Sequence, residues 1–275
     1  MNTMTEDRNL ALFCDFENVA IGVRDARYSV FDIQPILERL LLKGSIVTKK
    51  AYCDWDRYKQ FKKGMHEAAF ELIEIPHVKL SGKNSADIRM VVDALDLCYT
   101  KEHIDTFVII SGDSDFSPLV SKLRENAKTV IGVGVKQSTS DLLISNCDEF
   151  IFYDDLVSTE TGGTPETNSE AKSKKRSKKV RKTSAAKKAD PAQEAINLVL
   201  ETTEALYAER GDRAKLWGSM IKQTLKRRSP GFNESVYGFS SFSDLLEEAA
   251  KRKQLDLERD EKSGGYIVLG VRNSE

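Results

Sequence analysis

Two short acidic segments each follow an apolar run that is typical of a β-strand. The run 10–14 is followed by Asp15-Phe16-Glu17-Asn18, and the run 106–110 is followed by Ser111-Gly112-Asp113-Ser114-Asp115. Because ligands of open α/β sheets bind where the strands end, these side chains are candidates for chemistry. Helix capping is the alternative interpretation, since Asp or Ser before a helix accepts hydrogen bonds from its free backbone N–H groups.

A further acid, Asp87, opens a predicted helix, and a parallel sheet could bring it to the same edge as the two acidic segments. Carboxylates that meet in this way raise one another's pKa unless a cation lies among them. Oxygen ligands suit Mg²⁺ or Mn²⁺, which polarise phosphoryl oxygens and activate water. The sequence therefore predicts a divalent-metal site at this edge.

The neighbouring polar residues have both a functional and a structural interpretation. Asn18 can orient a ligand or a water without adding charge, or it can simply occupy a turn. Ser111 can hydrogen-bond a phosphate, or it can merely end its strand. We expect the Glu17 side chain to point away from Asp15 along an extended strand, and we expect Asp93 on a solvated face of the helix that Asp87 opens.

Strand-like and helical runs alternate through the first 153 residues, which favours a mostly parallel sheet with helices on both faces. The helix predicted from residue 85 has the candidate buried stripe Ile88, Val91, Val92, Leu95 and Cys98. Pro76 indicates that the strand at 71–78 lies near an edge. The predicted strands are 10–14, 45–53, 71–78, 106–110, 129–135 and 150–153, and the predicted helices are 31–43, 56–70, 85–99 and 116–126.

The composition indicates a globular protein whose cysteine thiols are reduced and whose charges are unevenly distributed along the chain. Of 275 residues, 40% are hydrophobic, and the four cysteines are widely spaced, as expected of buried thiols in a reducing compartment. The three histidines form no cluster of the kind that binds zinc. The sequence has no apolar stretch typical of a signal peptide or a membrane span, so we expect a cytoplasmic protein without a membrane partner.

A basic segment, 158–190, divides the chain. It holds 10 Lys and Arg against 4 Asp and Glu, with few large apolar residues, and this composition predicts a disordered linker. The linker is either a solubilising spacer or an electrostatic contact with nucleic acid, because cationic segments release counterions from phosphates.

The remaining residues, 191–275, predict a winged helix. Three helices are expected at 192–209, 215–228 and 242–252, followed by a hairpin at 254–258 and 265–269 that turns through 262–264. The second helix ends in a basic cluster, which is either a solvated face or a contact face for nucleic acid. This cluster comprises Lys222, Lys226, Arg227 and Arg228.

Three motifs carry a resemblance to a known family. Phe13-Cys14-Asp15-Phe16-Glu17-Asn18, Lys83-Asn84-Ser85-Ala86-Asp87-Ile88-Arg89 and Ser111-Gly112-Asp113-Ser114-Asp115-Phe116 resemble NYN domains of the LabA-like type, in the PIN-like nuclease superfamily, over about residues 9–156. The tail, with Pro230-Gly231-Phe232 and Phe242-Ser243-Asp244-Leu245-Leu246, resembles an OST-HTH (LOTUS) domain, which is a winged-helix RNA-binding module.

The resemblance implies an α/β fold of PIN-like (Rossmann-like) type and a metal-dependent ribonuclease. It implies a catalytic domain at 1–157, the linker at 158–190 and the RNA-binding domain at 191–275. In this interpretation Asn18 and Ser111 lie beside metal-binding acids, which are Asp15, Asp87, Asp113 and Asp115. The expected RNA contacts are Lys83, Arg89, Lys222, Lys226, Arg227 and Arg228.

Three functions fit these features. The first is a Mg²⁺- or Mn²⁺-dependent endoribonuclease that takes single-stranded or structured RNA. The second is a noncatalytic RNA-binding regulator, and both leave open a homodimer or a protein partner through either domain. The third is a phosphatase, because Asp15-Phe16-Glu17 and Gly112-Asp113-Ser114-Asp115 resemble the haloacid dehalogenase pattern, although Glu17 stands where that pattern wants a second Asp.

Overall fold

The computed structural model describes residues 8–28, 30–75, 85–160, 190–210, 215–260 and 264–272. The chain divides into two compact units. The first comprises the described residues up to Glu160 together with Lys226–Phe232, and the second comprises the other described residues from Asp190 onwards. The predicted loop at 81–84, which includes Lys83, lies outside the described residues, as does the centre of the predicted hairpin turn.

Six parallel strands form the sheet of the first unit, as the alternating pattern predicts. Their order is β3-β2-β1-β4-β5-β6, with the strand from residue 71 at an edge, as Pro76 indicates. The strands are β1 (Arg8–Asp15), β2 (Gly44–Cys53), β3 (Glu71–Glu74), β4 (Thr106–Ile110), β5 (Thr129–Gly134) and β6 (Glu149–Phe152).

Helices follow the strands of this unit, and some of them were not predicted. The unpredicted helices are α1 (Phe16–Asp25), α6 (Asp141–Asn146) and α7 (Tyr153–Glu160). Because α7 extends to Glu160, the predicted linker begins within a helix. The linker residues 161–189 lie outside the described part of the chain. The helices are α1 (Phe16–Asp25), α2 (Gln34–Leu41), α3 (Lys59–Glu67), α4 (Ser85–Thr100), α5 (Ser117–Glu125), α6 (Asp141–Asn146) and α7 (Tyr153–Glu160).

The strand order reverses between β1 and β4. The chain moves outward from β1 through β2 to β3 and then returns to place β4 on the other side of β1. The two strands pair in parallel, with Cys14 opposite Ile110, so their carboxyl ends lie side by side. Ligands of open α/β sheets bind at such a reversal, outside the carboxyl ends of the strands.

Hydrophobic layers cover both faces of the sheet because successive side chains of a strand point to opposite sides. In β1, Leu10, Leu12 and Cys14 belong to one layer, whereas Ala11 and Phe13 belong to the other. The cysteines are buried and free, as their spacing predicts. Because β1 is buried on both faces, it holds the residues at its carboxyl end in a fixed position.

The stripe predicted for α4 is wrong in part. Ile88 and Val92 are 63% and 55% exposed, whereas Cys98 is buried as predicted and shares the buried side with Met90 and Ala94. These three residues are four positions apart, so they also satisfy helical spacing. The apolar pattern alone could not distinguish the two faces.

A hydrogen bond to Asp93 helps to determine which face of α4 packs against the sheet. The sequence suggested a solvated position, but its carboxylate accepts hydrogen bonds from the Tyr52 hydroxyl of β2 at 3.0 Å and from Nε of Arg89 at 3.0 Å. Burial and the nearby Asp93 charge raise the pKa of Tyr52, so this hydroxyl remains a donor. The bond therefore holds α4, and with it Asp87, against the sheet.

The second unit contains α8 (Pro191–Arg210), α10 (Phe242–Lys251) and most of α9 (Gly218–Arg228), whose residues from Lys226 onwards group with the first unit. An antiparallel sheet of order β7-β9-β8 accompanies them, formed by β7 (Leu216–Trp217), β8 (Leu255–Arg259) and β9 (Tyr266–Val271). The helix predicted from residue 215 therefore begins later, because Leu216 and Trp217 pair with β9. Among the described segments, no helix is both long enough and apolar enough to cross a membrane.

We expect Tyr52→Phe to lower the free energy of unfolding by about 1 to 2 kcal/mol, because Asp93 loses a buried hydrogen bond while keeping Arg89. Urea unfolding of the full chain measures this change. The matched control is Tyr99→Phe on the exposed side of α4, for which we expect a change within about 0.5 kcal/mol. Equal losses in the two variants would contradict the anchoring role of Tyr52.

Candidate active site

Asp15 is the buried centre of the candidate site. It is the last residue of β1 and the N-cap of α1, and it is only 8% exposed. One carboxylate oxygen, Oδ1, accepts the backbone N–H of Asn18 at 3.4 Å, and the other, Oδ2, accepts the Ser111 hydroxyl at 2.9 Å. Asp15 therefore joins the ends of β1 and β4.

Asn18 and Ser111 make further hydrogen bonds to the loop that follows β4. The side-chain oxygen of Asn18 accepts the backbone N–H of Gly112 at 2.9 Å, and Oγ of Ser111 accepts the backbone N–H of Asp113 at 3.2 Å. Both side chains thus hold the loop after β4 against α1. Their observed role is to position the acids.

Gly112 is a site residue that the sequence analysis did not single out. A Cβ at this position would lie 2.4 Å from the backbone oxygen of Ser138, and the Gly112 oxygen accepts the N–H of Ser140 at 2.9 Å. A side chain would therefore force two backbone segments apart. The glycine between Ser111 and Asp113 was the available signal.

Helix capping, the structural interpretation of the acids, is present at two of them. Asp15 caps α1, and Asp113 accepts the backbone N–H of Asp115 at 2.9 Å through Oδ1. In each cap, one carboxylate oxygen, Oδ1, accepts the backbone N–H. Capping thus sets the orientation of both acids and does not conflict with a chemical role.

The charges of the acids act on one another. The pKa of Asp15 is raised to about 7, chiefly by burial and further by the carboxylates of Asp87 and Asp113, while the hydrogen bonds from Ser111 and Asn18 lower it. Burial likewise raises the pKa of Asp87, with smaller contributions from other carboxylates, namely Asp113, Asp115 and Glu17. The structure therefore brings the four predicted acids within electrostatic reach.

The position of Glu17 differs from the one expected for an extended strand. Its side chain does not extend along a strand, because the helix α1 begins at Phe16 and places Glu17 in its first turn. There it pairs with Arg57 at 3.0 Å and contributes to the raised pKa of Asp87. Glu17 thus borders the acid cluster, although the strand argument directed it elsewhere.

The acids have the oxygen donors that a divalent ion prefers, but their present spacing is less suitable for binding one. Within the described part of the chain, no three Asp, Glu, His or Cys side chains converge closely enough to hold an ion. Mg²⁺ commonly binds through one or two carboxylates, several waters and substrate phosphates. The all-oxygen donors Asp15, Asp87, Asp113 and Asp115 suit that mode and would reduce their mutual repulsion on binding a cation.

Two of the expected RNA contacts are already paired with acids. Arg89 is paired with Asp93, and Lys222 donates to Glu234 at 2.6 Å with its Nζ 5.7 Å from the Phe242 ring centroid. Either cation would have to leave its partner to bind a phosphate. At the end of α9 Lys226 is half-buried, whereas Arg227 and Arg228 are exposed.

The NYN domain model matches residues 9–155, which is slightly more than half of the chain. The chain belongs to the NYN domain family. NYN domains are generally nucleases of the PIN-like type, in agreement with the parallel six-stranded sheet of the first unit.

Two similar proteins have no stated function. MJ0482, an uncharacterized protein of Methanocaldococcus jannaschii, is 29% identical over 120 residues, which are 44% of this chain and 47% of that protein. The chain thus spans about half the length of this curated relative. The crystal structure of VPA0982 from Vibrio parahaemolyticus, a protein of unknown function, is similar with a TM-score of 0.50 and 28% identity, covering 57% of this chain and 98% of the other.

We expect Asp15→Asn to stabilise the protein at about pH 8. Because the folded-state pKa of Asp15 is raised from 3.8 to about 7, the folded chain binds more protons than the unfolded chain between these values. Stability therefore falls as the pH rises from about 4 to 7 and stays reduced above. Removing the charge should recover roughly 2 to 4 kcal/mol at high pH and almost nothing near pH 4.

Urea unfolding in EDTA at several pH values measures this difference. The matched control is Asp96→Asn, which changes an exposed acid of α4 and should leave the pH dependence unaltered. A loss of stability at high pH in Asp15→Asn would show that the carboxylate is stabilising and would contradict the assignment of its raised pKa.

Proposed function

We propose that this NYN protein is a Mg²⁺- or Mn²⁺-dependent endoribonuclease whose metal-binding acids are Asp15, Asp87, Asp113 and Asp115. The observation that carries the proposal is the buried Asp15 carboxylate, whose pKa is raised by two other acids at the reversal of strand order. A structural cap has no need for several acids nearby, because one carboxylate satisfies the N–H groups. Membership of a nuclease family supports the same conclusion.

The chain's own residues prepare the site by orientation and charge. When bound, a divalent ion supplies Lewis-acid polarisation of a phosphoryl oxygen and activates water for hydrolysis. Ser111 and Asn18 act as positioning residues, since they hold Asp15 and the loop that carries Asp113. The four acids repel one another and thus favour the binding of a cation and disfavour an unaccompanied phosphate.

A noncatalytic RNA-binding regulator is the second candidate. The specific observation in its favour is that the described acids do not form a three-ligand group in their present conformation. In addition, Asp15 and Asp113 each serve as a helix cap, which gives them a structural reason to be present. Activity in the presence of metal separates the two candidates.

We propose further that the second unit is a winged-helix domain of OST-HTH type that binds RNA. Three helices with a small antiparallel sheet support this assignment. Arg227, which is exposed at the end of α9 and groups with the first unit, offers a further cation to a phosphate backbone. Lys222 has a weaker claim, because it is held by Glu234.

The first functional prediction concerns cleavage. We expect the full chain to cut a labelled single-stranded RNA internally with Mn²⁺ or Mg²⁺ and to be inactive in EDTA, because hydrolysis depends on the ion held by the acids. Asp15→Asn and Asp113→Asn should each lower the rate by at least about 100-fold while retaining most RNA affinity. Gel electrophoresis of the products and equilibrium binding of the uncleaved RNA measure the two effects.

The control Asp96→Asn should cleave at the wild-type rate, because this acid is exposed on α4 away from the cluster. Cleavage that persists unchanged in Asp15→Asn would identify a contaminant and reject the proposed site. RNA binding without cleavage under all metal conditions would instead favour the noncatalytic regulator.

The second functional prediction concerns the C-terminal cations. Arg227→Ala in the full chain should weaken RNA binding and reduce the slope of log affinity against log salt by about 0.7 to 1, as expected for one lost phosphate contact. Fluorescence anisotropy at several salt concentrations measures the slope. Lys251→Ala, an exposed cation on α10, is the control, and equal changes in both variants would contradict a specific role for α9.

A further inference from the structure

An open groove borders the acid cluster on the side of α4, α5 and α6. Its volume is about 710 Å³, and its lining includes Asp87 and Asp115, so it is continuous with the candidate active site. Pockets of a few hundred to a thousand cubic ångströms commonly accept small organic groups. A group held in this groove would lie next to whatever the acids bind.

The walls of the groove are aliphatic. Ile88, Val92 and Leu142 line it, and their side-chain positions are 63%, 55% and 56% exposed. None of the ten described residues that line it is Lys, Arg or His. A groove with apolar walls, two acids and no cation cannot attract a phosphate, but it suits a flat group with apolar faces and polar edges.

Polar hydroxyls supply the second part of the argument. Ser114, Ser117 and Ser121 also line the groove. Ser117 is only 6% exposed, and its Oγ, which has almost no accessible surface, has no hydrogen-bond partner among the residues that the structure describes. Because buried polar atoms are normally paired, this hydroxyl of a lining residue has an unused hydrogen-bonding capacity, which rotation of the side chain toward the groove would offer to a bound polar group.

We propose that this groove is a nucleobase subsite, which takes one unpaired base of the RNA strand next to the phosphate bound at the acids. The aliphatic side chains contact the faces of the base, as apolar side chains do in sites for extruded bases, and Ser117 hydrogen-bonds its polar edge. This inference rests on the proposed ribonuclease function. It requires that the bound base is unpaired, because a paired and stacked base cannot enter the groove.

The binding test uses the full chain carrying Asp113→Asn and a short single-stranded RNA with 2-aminopurine at one position at a time. This fluorescent base is quenched by stacking in the strand, so its entry into an aliphatic groove should increase its emission. We expect an increase of about threefold or more at one position, and little change at positions several nucleotides away.

Substitutions of residues that line the groove test whether the base binds there. On the Asp113→Asn background, Val92→Ser and Leu142→Ser should each weaken RNA binding by about 5-fold or more and remove the fluorescence increase. Both positions are exposed, so folding should be retained. The matched control is Leu41→Ser, which changes an equally exposed leucine of α2 outside the groove and should leave both signals unchanged.

Ser117→Ala tests the hydrogen bond separately from packing. Because its hydroxyl has no described partner, we expect no loss of thermal stability, but a loss of about 3- to 10-fold in RNA affinity. Ser45→Ala, an exposed serine of β2, is the control. Affinity equal to that of Ser45→Ala would overturn the assigned role of Ser117.

A cleavage experiment connects the groove to the reaction. An abasic nucleotide placed along the RNA should lower wild-type cleavage of the adjacent bond by about 10-fold, with distant bonds unaffected. Unchanged cleavage beside the abasic nucleotide, or unchanged fluorescence in Val92→Ser and Leu142→Ser, would overturn the subsite. A change from dimer to monomer in these variants without an effect on RNA would overturn it in favour of an interface between copies.

Failure of the ribonuclease proposal gives a different pattern. In that case the wild-type chain cuts no bond in any RNA with either metal, whereas the fluorescence increase and its dependence on Val92, Leu142 and Ser117 persist. The base-binding groove would then belong to an RNA-binding protein that does not cleave. Failure of the groove alone leaves metal-dependent cleavage intact.

Discussion

The candidate site depends on the burial of one carboxylate, Asp15, at the end of a strand that is covered on both faces. Removing a carboxylate from water disfavours its charged form unless hydrogen bonds or a cation compensate. Ser111 and the N–H of Asn18 compensate in part, but nearby acids act in the opposite direction, and the pKa of Asp15 remains at about 7. The surrounding loops must therefore hold an arrangement that the charges themselves oppose.

The connections around Asp15 explain how this arrangement is held. Asn18 bonds to Gly112, Ser111 bonds to both Asp15 and Asp113, and Gly112 allows the backbone of Ser138 to approach closely. The end of β1 and the end of β4 are thus one hydrogen-bonded structure. An arrangement of this kind costs stability, as active sites often do, and under the proposed function a divalent cation would relieve the repulsion.

The position of α4 links the acids to the groove. The Tyr52–Asp93 bond and the burial of Met90 leave Ile88 and Val92 exposed beside Asp87. One helix therefore presents an acid and an aliphatic wall to the same region. In the proposed subsite, Ile88 and Val92, the exposed members of the predicted stripe, contact the largely apolar base of a nucleotide whose charged phosphate lies at the acids.

The sequence by itself determined the parallel α/β class and most strand positions, and it showed that Asp15, Asp113 and Asp115 follow strands while Asp87 lies near the start of a helix, because these are local features. It missed α1, although Phe16, Val19 and Val23 have helical spacing, and it placed Glu17 wrongly for that reason. Only the tertiary structure decided which face of α4 is buried, that Asp93 accepts from Tyr52, and that Ser117 lacks a described partner beside a groove. These features depend on contacts between residues far apart in the chain, and an apolar pattern that fits two helix faces cannot choose between them.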